Sequence, residues 1–154
     1  MKLRPEKWDY LFVGIQLLLF VIYVWPPVHL PFEPALWMQI AGFALTARGL
    51  VYLVWPILQL NRALTMFPTP KAEGKLITTG AFARVRHPTY AGIFWGGVGI
   101  GVVYGDAVRV IIAGMLLLLF YFKSNYEEKR LMQVFPDYAD YRTRTGKFFS
   151  RIFT

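Results

Sequence analysis

The chain has 154 residues, no cysteine, two distant histidines and a formal net charge of +8. The length suits one domain, and the composition excludes disulfides, thiolate metal sites, cysteine nucleophiles and a histidine-rich metal centre. With 56% hydrophobic and 18% aromatic residues, it carries more apolar material than a soluble domain needs but what lipid-facing helices require. Its basic residues flank apolar runs instead of forming one face, which argues against nucleic acid.

The first apolar span covers about 8–28, with Trp8 and Tyr10 at one end and Tyr23 and Trp25 at the other, as interfacial aromatics should lie. Its basic start is like that of a signal peptide, but no small-residue cleavage site follows, so it is read as a retained helix. Pro26, Pro27, Pro31 and Pro34 make a short rigid loop. The second span, about 35–60, is long enough to cross with tilt, and Pro56 is expected to kink or end it. Residues 61–87 hold Pro68, Pro70, Gly74 and Gly80 and read as a loop with turns. The third span, 88–104, is short and contains Gly92, Gly96, Gly97, Gly99 and Gly101. Such spacing permits close helix contact, within the chain or between copies in a homo-oligomer. Gly105-Asp106 is a tight turn, and the fourth span, 107–122, is predicted to run on as a helix to about 133.

The expected fold is therefore an all-α integral membrane domain with about four transmembrane helices. The third and fourth form a hairpin, and a helical C-terminal tail follows. Fifteen of the 17 lysines and arginines fall on one side of this arrangement. By the positive-inside rule both termini, the loop 61–87 and the tail 123–154 are cytoplasmic. The two exceptions are Arg109, close enough to the outer turn to snorkel, and Arg48, in mid-span. An intramembrane arginine is a functional candidate or a structural partner for a carbonyl or carboxylate in the bundle.

Two polar clusters then share one membrane face. Pro88 suits the first position of a helix and keeps His87 out of the helical region. The helix start, Arg84, Arg86 and His87 together make either an anion site or a basic membrane flank. Glu127 and Glu128 point about 100° apart on a helix, and serve either ligand binding or ordinary helix solvation. Jointly the clusters match a zwitterion such as S-adenosylmethionine.

The runs Leu76-Ile77-Thr78-Thr79-Gly80-Ala81-Phe82, Arg86-His87-Pro88-Thr89-Tyr90, Glu127-Glu128 and Phe135-Pro136-Asp137-Tyr138-Ala139-Asp140-Tyr141 resemble the C-terminal half of the isoprenylcysteine carboxyl methyltransferase and phospholipid methyltransferase superfamily. The likeness covers about residues 60–145. It implies a small integral-membrane enzyme that uses S-adenosylmethionine. It places the cofactor against Leu76, Ile77, Phe82, His87, Pro88, Thr89, Tyr90 and the glutamate pair, where the contact aligns best with Glu127; Arg86 and Glu128 join the candidate cofactor residues from the two polar clusters. Lys123 stands where the carboxyl methyltransferases carry a substrate-binding arginine; it keeps the charge without the bidentate fork. Lys123 and Arg48 are the candidates on the acceptor side, and the acceptor is expected to be lipidic and to come from the bilayer. No metal is implied. The Arg-His-Pro-x-Tyr segment is also similar to that of membrane steroid reductase-like proteins, which use NADPH and carry asparagine where Thr89 stands. A non-catalytic membrane scaffold is the third reading.

Overall fold

A computed structural model describes residues 6–60 and 76–150. Six helices follow in order: α1 (Lys7–Val24), α2 (Leu36–Leu60), α3 (Ala81–Arg84), α4 (Pro88–Tyr104), α5 (Ala107–Val134) and α6 (Tyr138–Arg144). No strand longer than an isolated bridge occurs among the described residues. The all-helical expectation and the hairpin of the third and fourth predicted spans, now α4 and α5, therefore hold.

Three helices, α1, α2 and α5, are long and apolar enough to cross a bilayer. At 17 residues α4 is about 26 Å long, somewhat less than the roughly 30 Å hydrocarbon core. By contrast α5 has 28 residues, about 42 Å, so its last three turns extend past the apolar run. That extension carries both glutamates of the expected site. α1 ends at Val24, four residues before the predicted end of the span. Pro26 disfavours a helical Trp25, and neither Pro26 nor Pro27 has an N–H to continue the ladder. Pro56 does not end α2, which runs on to Leu60. The ring is fully buried, and its packing offsets the single lost hydrogen bond.

The surface is inverted relative to a water-soluble protein. Leu18, Trp37 and Leu58 are 58%, 71% and 74% exposed, whereas Asp9, Ser124 and Glu128 are at most 1% exposed. The apolar core is a narrow seam of Leu19, Ala91, Ile112, Leu116, Leu119, Phe120 and Phe148.

Close backbone approach joins α2 to α4. A Cβ on Gly49 would lie 2.3 Å from the Gly96 nitrogen, and one on Gly99 would lie 2.5 Å from the Gly42 carbonyl oxygen. The other face of α4 meets α5, where Cβ atoms on Gly97 and Gly101 would touch Ala113 and Val110. The sequence left open whether these glycines serve contacts within the chain or between copies. Each meets α2 or α5 of the same chain.

The α4–α5 turn is formed by Gly105, left-handed at φ 64° and ψ 39°. Asp106 caps α5 by accepting from the Val108 N–H (3.1 Å). Asp106 also pairs with His29 (2.8 Å) and accepts from the Leu30 N–H (3.3 Å), tying the proline loop to the turn. Arg109 donates to the Tyr23 carbonyl (2.9 Å), which satisfies the end of α1 and fits the snorkelling expectation. This turn sits at one end of the bundle. The start of α4 and the extension of α5 therefore lie together at the other.

Candidate active site

The site end is built on where two helices begin and overrun. Pro88 opens α4, and His87 is its N-cap, with φ −123° and ψ 64°. Residues 85–87 run extended beside the tail after α6. Val85 bridges to Gly146 in parallel fashion. The Arg86 N–H donates to the Gly146 carbonyl (2.8 Å) and the His87 N–H to that of Lys147 (3.0 Å). Arg86 and His87 are thus fixed at the backbone before any side chain is considered.

The side chains then converge on the two glutamates. Arg86 Nε donates to Glu128 Oε1 (2.9 Å); Arg86 Nη1 donates to the carbonyls of Arg142 (3.0 Å) and Thr145. His87 Nε2 lies 3.1 Å from Glu128 Oε1, and Nδ1 lies 3.4 Å from Glu127 Oε2. The Tyr90 hydroxyl donates to Glu127 Oε1 (2.6 Å). Arg142 Nε stands 3.3 Å from Glu128 Oε2. The roughly 100° between neighbouring helical side chains sends Glu128 toward Arg86 and Arg142 and Glu127 toward Tyr90, with His87 between them.

Burial opposes a charge on His87, but hydrogen bonds to Glu127 and Glu128 outweigh it and raise its pKa above the ordinary value. With both ring nitrogens facing carboxylates, the imidazolium is the form that satisfies both. Tyr90 is stacked between the His87 ring (5.5 Å, 5° between planes) and Phe120 (4.4 Å, 6°). Burial also pushes the Tyr138 hydroxyl well up and that of Tyr141 up to about 12, so both phenols are donors at neutral pH.

The remaining predicted residues divide between this cluster and elsewhere. Lys123 is 2% exposed and sits one turn before Glu127 on α5. It donates to Gln16 Oε1 on α1 (2.8 Å) and lies 5.2 Å from the Tyr90 ring centre. Pro88 is buried, and Thr89, Phe82, Leu76 and Ile77 are half-buried. The Phe82 carbonyl accepts from the Tyr141 hydroxyl (2.6 Å). Arg48 is on the exposed side of α2, its guanidinium 4.7 Å from the Trp95 ring centre and 5.7 Å from that of Tyr52. None of its described contacts links it to the His87 cluster. The part of the expected cofactor loop at 61–75 lies outside the described residues.

Several participants escaped the sequence reading. Arg142 and residues 145–147 supply the carbonyls and the cation around Arg86, Gln16 faces Lys123, and Gln59 grips the loop before α3. Gln59 Nε2 donates to the Thr79 carbonyl (2.8 Å), and Gln59 Oε1 accepts from the Ala81 N–H (3.2 Å). The signal for Gln16 was its position as the lone amide of the apolar α1, where a polar group needs a partner; Gln59 gave no such signal, since α2 also carries Gln39. For Arg142 there was no signal, since it lies among other basic residues of the tail.

The chemistry of the donor set fits S-adenosylmethionine. Two carboxylates stand among cations at the N-terminus of α4. The buried Glu128 Oε2 and Tyr138 hydroxyl have no hydrogen-bond partner among the described residues.

A solved eukaryotic intramembrane Ras methyltransferase, isoprenylcysteine carboxyl methyltransferase, superposes with a TM-score of 0.65 at 19% identity, over 96% of this chain and 54% of that one. It shares the fold. The protein-S-isoprenylcysteine O-methyltransferase of Saccharomyces cerevisiae is 30% identical over 78 residues, which are 49% of this chain and 33% of that protein. The nickel-cobalt-cadmium resistance protein NccN of Alcaligenes xylosoxydans xylosoxydans is 34% identical over 88 residues, 56% of this chain and 41% of its own. The chain thus matches well under half the length of these curated relatives. With three membrane-length helices and this shared fold, it is an integral, multi-pass membrane protein. The phospholipid methyltransferase family model matches residues 37–137, from the start of α2 to just before α6 and including Arg86, His87, Tyr90, Glu127 and Glu128, and the chain belongs to that family.

Proposed function

We propose that this protein transfers a methyl group from S-adenosylmethionine to a membrane-partitioned acceptor. The observation that carries the proposal is the bracketing of His87 by Glu127 and Glu128 at the start of α4, a buried site holding both signs of charge at the edge of an apolar bundle. Family membership and the shared fold support methyl transfer over the NADPH-dependent and non-catalytic readings.

S-adenosylmethionine, when bound, would supply a sulfonium-activated methyl group to an acceptor lone pair, the carbon–sulfur electrons remaining with sulfur. The chain's task is alignment and exclusion of water. The first-turn N–H groups of α4, at Thr89 and Tyr90, hold the cofactor carboxylate. Glu127 would hold the ammonium, because it bonds Tyr90 and faces His87, while Glu128 faces Arg86 and Arg142 as well as His87. His87 keeps both carboxylates in register. Phe82, Leu76 and Ile77 flank the adenine. Lys123 steadies Tyr90 and Glu127 from the α1 side. Arg48 lies on the lipid-facing flank of α2, placed to meet an acceptor that arrives through the bilayer. The distribution of basic residues supports a cytoplasmic site with both termini on that side.

Calorimetric titration of the purified protein with S-adenosylmethionine, in detergent and in lipid nanodiscs, tests the reading. The expected result is saturable one-site binding that Glu127→Ala and His87→Ala each weaken at least tenfold. Absence of binding in both media sinks the proposal.

A further inference from the structure

We infer that Tyr138 is a cofactor-binding residue, and that its hydroxyl and Glu128 Oε2 together take the two ribose hydroxyls of the nucleoside cofactor. The inference rests on the cofactor reading above and adds a residue and a ligand group to it.

Two atoms carry it. The Tyr138 side chain is among the most buried in the protein, at 1% exposure. Its hydroxyl makes no hydrogen bond among the described residues. Glu128 Oε2 is likewise buried without a hydrogen bond. Arg142 Nε comes within 3.3 Å of it but without hydrogen-bond alignment. Leaving one buried polar atom unsatisfied is costly. Here there are two, one on the extension of α5 and the other at the start of α6. One is a carboxylate oxygen that only accepts, and the other is a phenol that donates.

That complement selects the ligand. A vicinal diol satisfies both atoms, one hydroxyl donating to Glu128 Oε2 and the other accepting from Tyr138. An ammonium would also satisfy Glu128, but it would become one more cation around a carboxylate that already faces Arg86 (2.9 Å), His87 (3.1 Å) and Arg142 (3.3 Å). A neutral hydroxyl group adds no such repulsion. The two glutamates are thus divided by their neighbours, Glu127 for the charged end of the ligand and Glu128 with Tyr138 for its sugar.

Neither atom is open to solvent, so the ligand reaches them by displacing α6. That helix has seven residues and is tied down by the Tyr141–Phe82 bond and the Arg142–Glu128 pair. Closure of α6 over the bound sugar would exclude water from the site.

The test uses the full chain and Tyr138→Phe, which removes the hydroxyl and keeps the ring. Thermal melts without ligand and calorimetry with S-adenosylmethionine and its 2′-deoxy and 3′-deoxy analogues are compared. The ligand-free variant is expected to melt at or above the wild-type temperature, because it loses an unsatisfied polar atom. Its affinity for S-adenosylmethionine is expected to fall about five- to tenfold, as for one lost hydrogen bond. The deoxy analogue that lacks the Tyr138 partner should bind wild type weakly and should lose nothing further in the variant. A lower melting temperature without ligand overturns the inference, since it means that the hydroxyl already has a structural partner. Equal affinity of wild type and variant, or additive losses with both analogues, overturns it too. Wild type that binds no S-adenosylmethionine refutes the cofactor reading instead.

Discussion

The α2–α4 seam permits a test that separates geometry from motif. Replacing Gly49 by alanine places a Cβ 2.3 Å from the Gly96 nitrogen, 2.6 Å from its Cα and 2.7 Å from the Gly92 carbonyl oxygen. All three are backbone atoms, so no rotamer change relieves the clash. Ordinary contact begins at 3.4 Å, and the helices must separate by about 1 Å, in steps that loosen every neighbouring contact. Overpacking of this kind costs about 2 kcal/mol, which for a chain of this size lowers the melting temperature by about 4–8 °C. Because α4 carries His87 at its start, cofactor affinity should fall as well. The control is in the same seam. A Cβ on Gly96 finds its nearest atom, the Gly49 Cα, at 4.0 Å, so Gly96→Ala should be nearly neutral. The measurement is a thermal melt of both variants in the same detergent, followed by calorimetry with S-adenosylmethionine. If Gly96→Ala proves as damaging as Gly49→Ala, or Gly49→Ala melts like wild type, the close-approach argument fails.

Three further outcomes are expected. Glu128→Ala leaves Arg86 and His87 without their shared carboxylate in a nearly buried site, and should destabilise the fold by about 3 kcal/mol in a chemical or thermal melt, with Glu128→Gln intermediate. His87 has a raised folded pKa, so its protonation stabilises the native state. That contribution is complete below the unfolded value of about 6.5 and is lost as pH rises through the folded pKa. The melting temperature of wild type should therefore decline over that range relative to His87→Asn, and parallel curves would contradict the assignment. Tyr141→Phe removes the bond to the Phe82 carbonyl (2.6 Å) and should cost about 1 kcal/mol, with faster hydrogen exchange at residues 80–85 as the local readout.

The spans were readable because apolar run length and proline position are local properties. The third predicted span coincides with α4, from Pro88 to Tyr104, since a proline defines its start and a left-handed glycine its end. Of the two outcomes expected at Pro56, a kink or an end, the end does not occur: whether a proline ends a helix depends on what surrounds the ring, and here it is buried while α2 continues to Leu60. The Glu127–Glu128 and His87 cluster was anticipated as two groups on one face. Its wiring was not, because Arg142 and Thr145 lie far along the chain from Arg86 and meet it only when the tail runs beside residues 85–87.

By itself the sequence determined that the chain is helical and apolar on its outside, that its polar residues gather at the ends of the spans, and that a proline-started helix faces two carboxylates. Apolar run length, proline position and charge placement suffice for those statements, because they are read along the chain without knowing how its helices pack. Only the tertiary structure decided which glutamate faces which cation, that Lys123 turns toward α1, and that Arg48 stands apart on the exposed side of α2. It also decided that the α4 glycines are filled from within the chain. These depend on helix rotation and on distances of a few ångströms between segments remote in sequence. Such distances follow from how whole helices pack, and no local pattern encodes them.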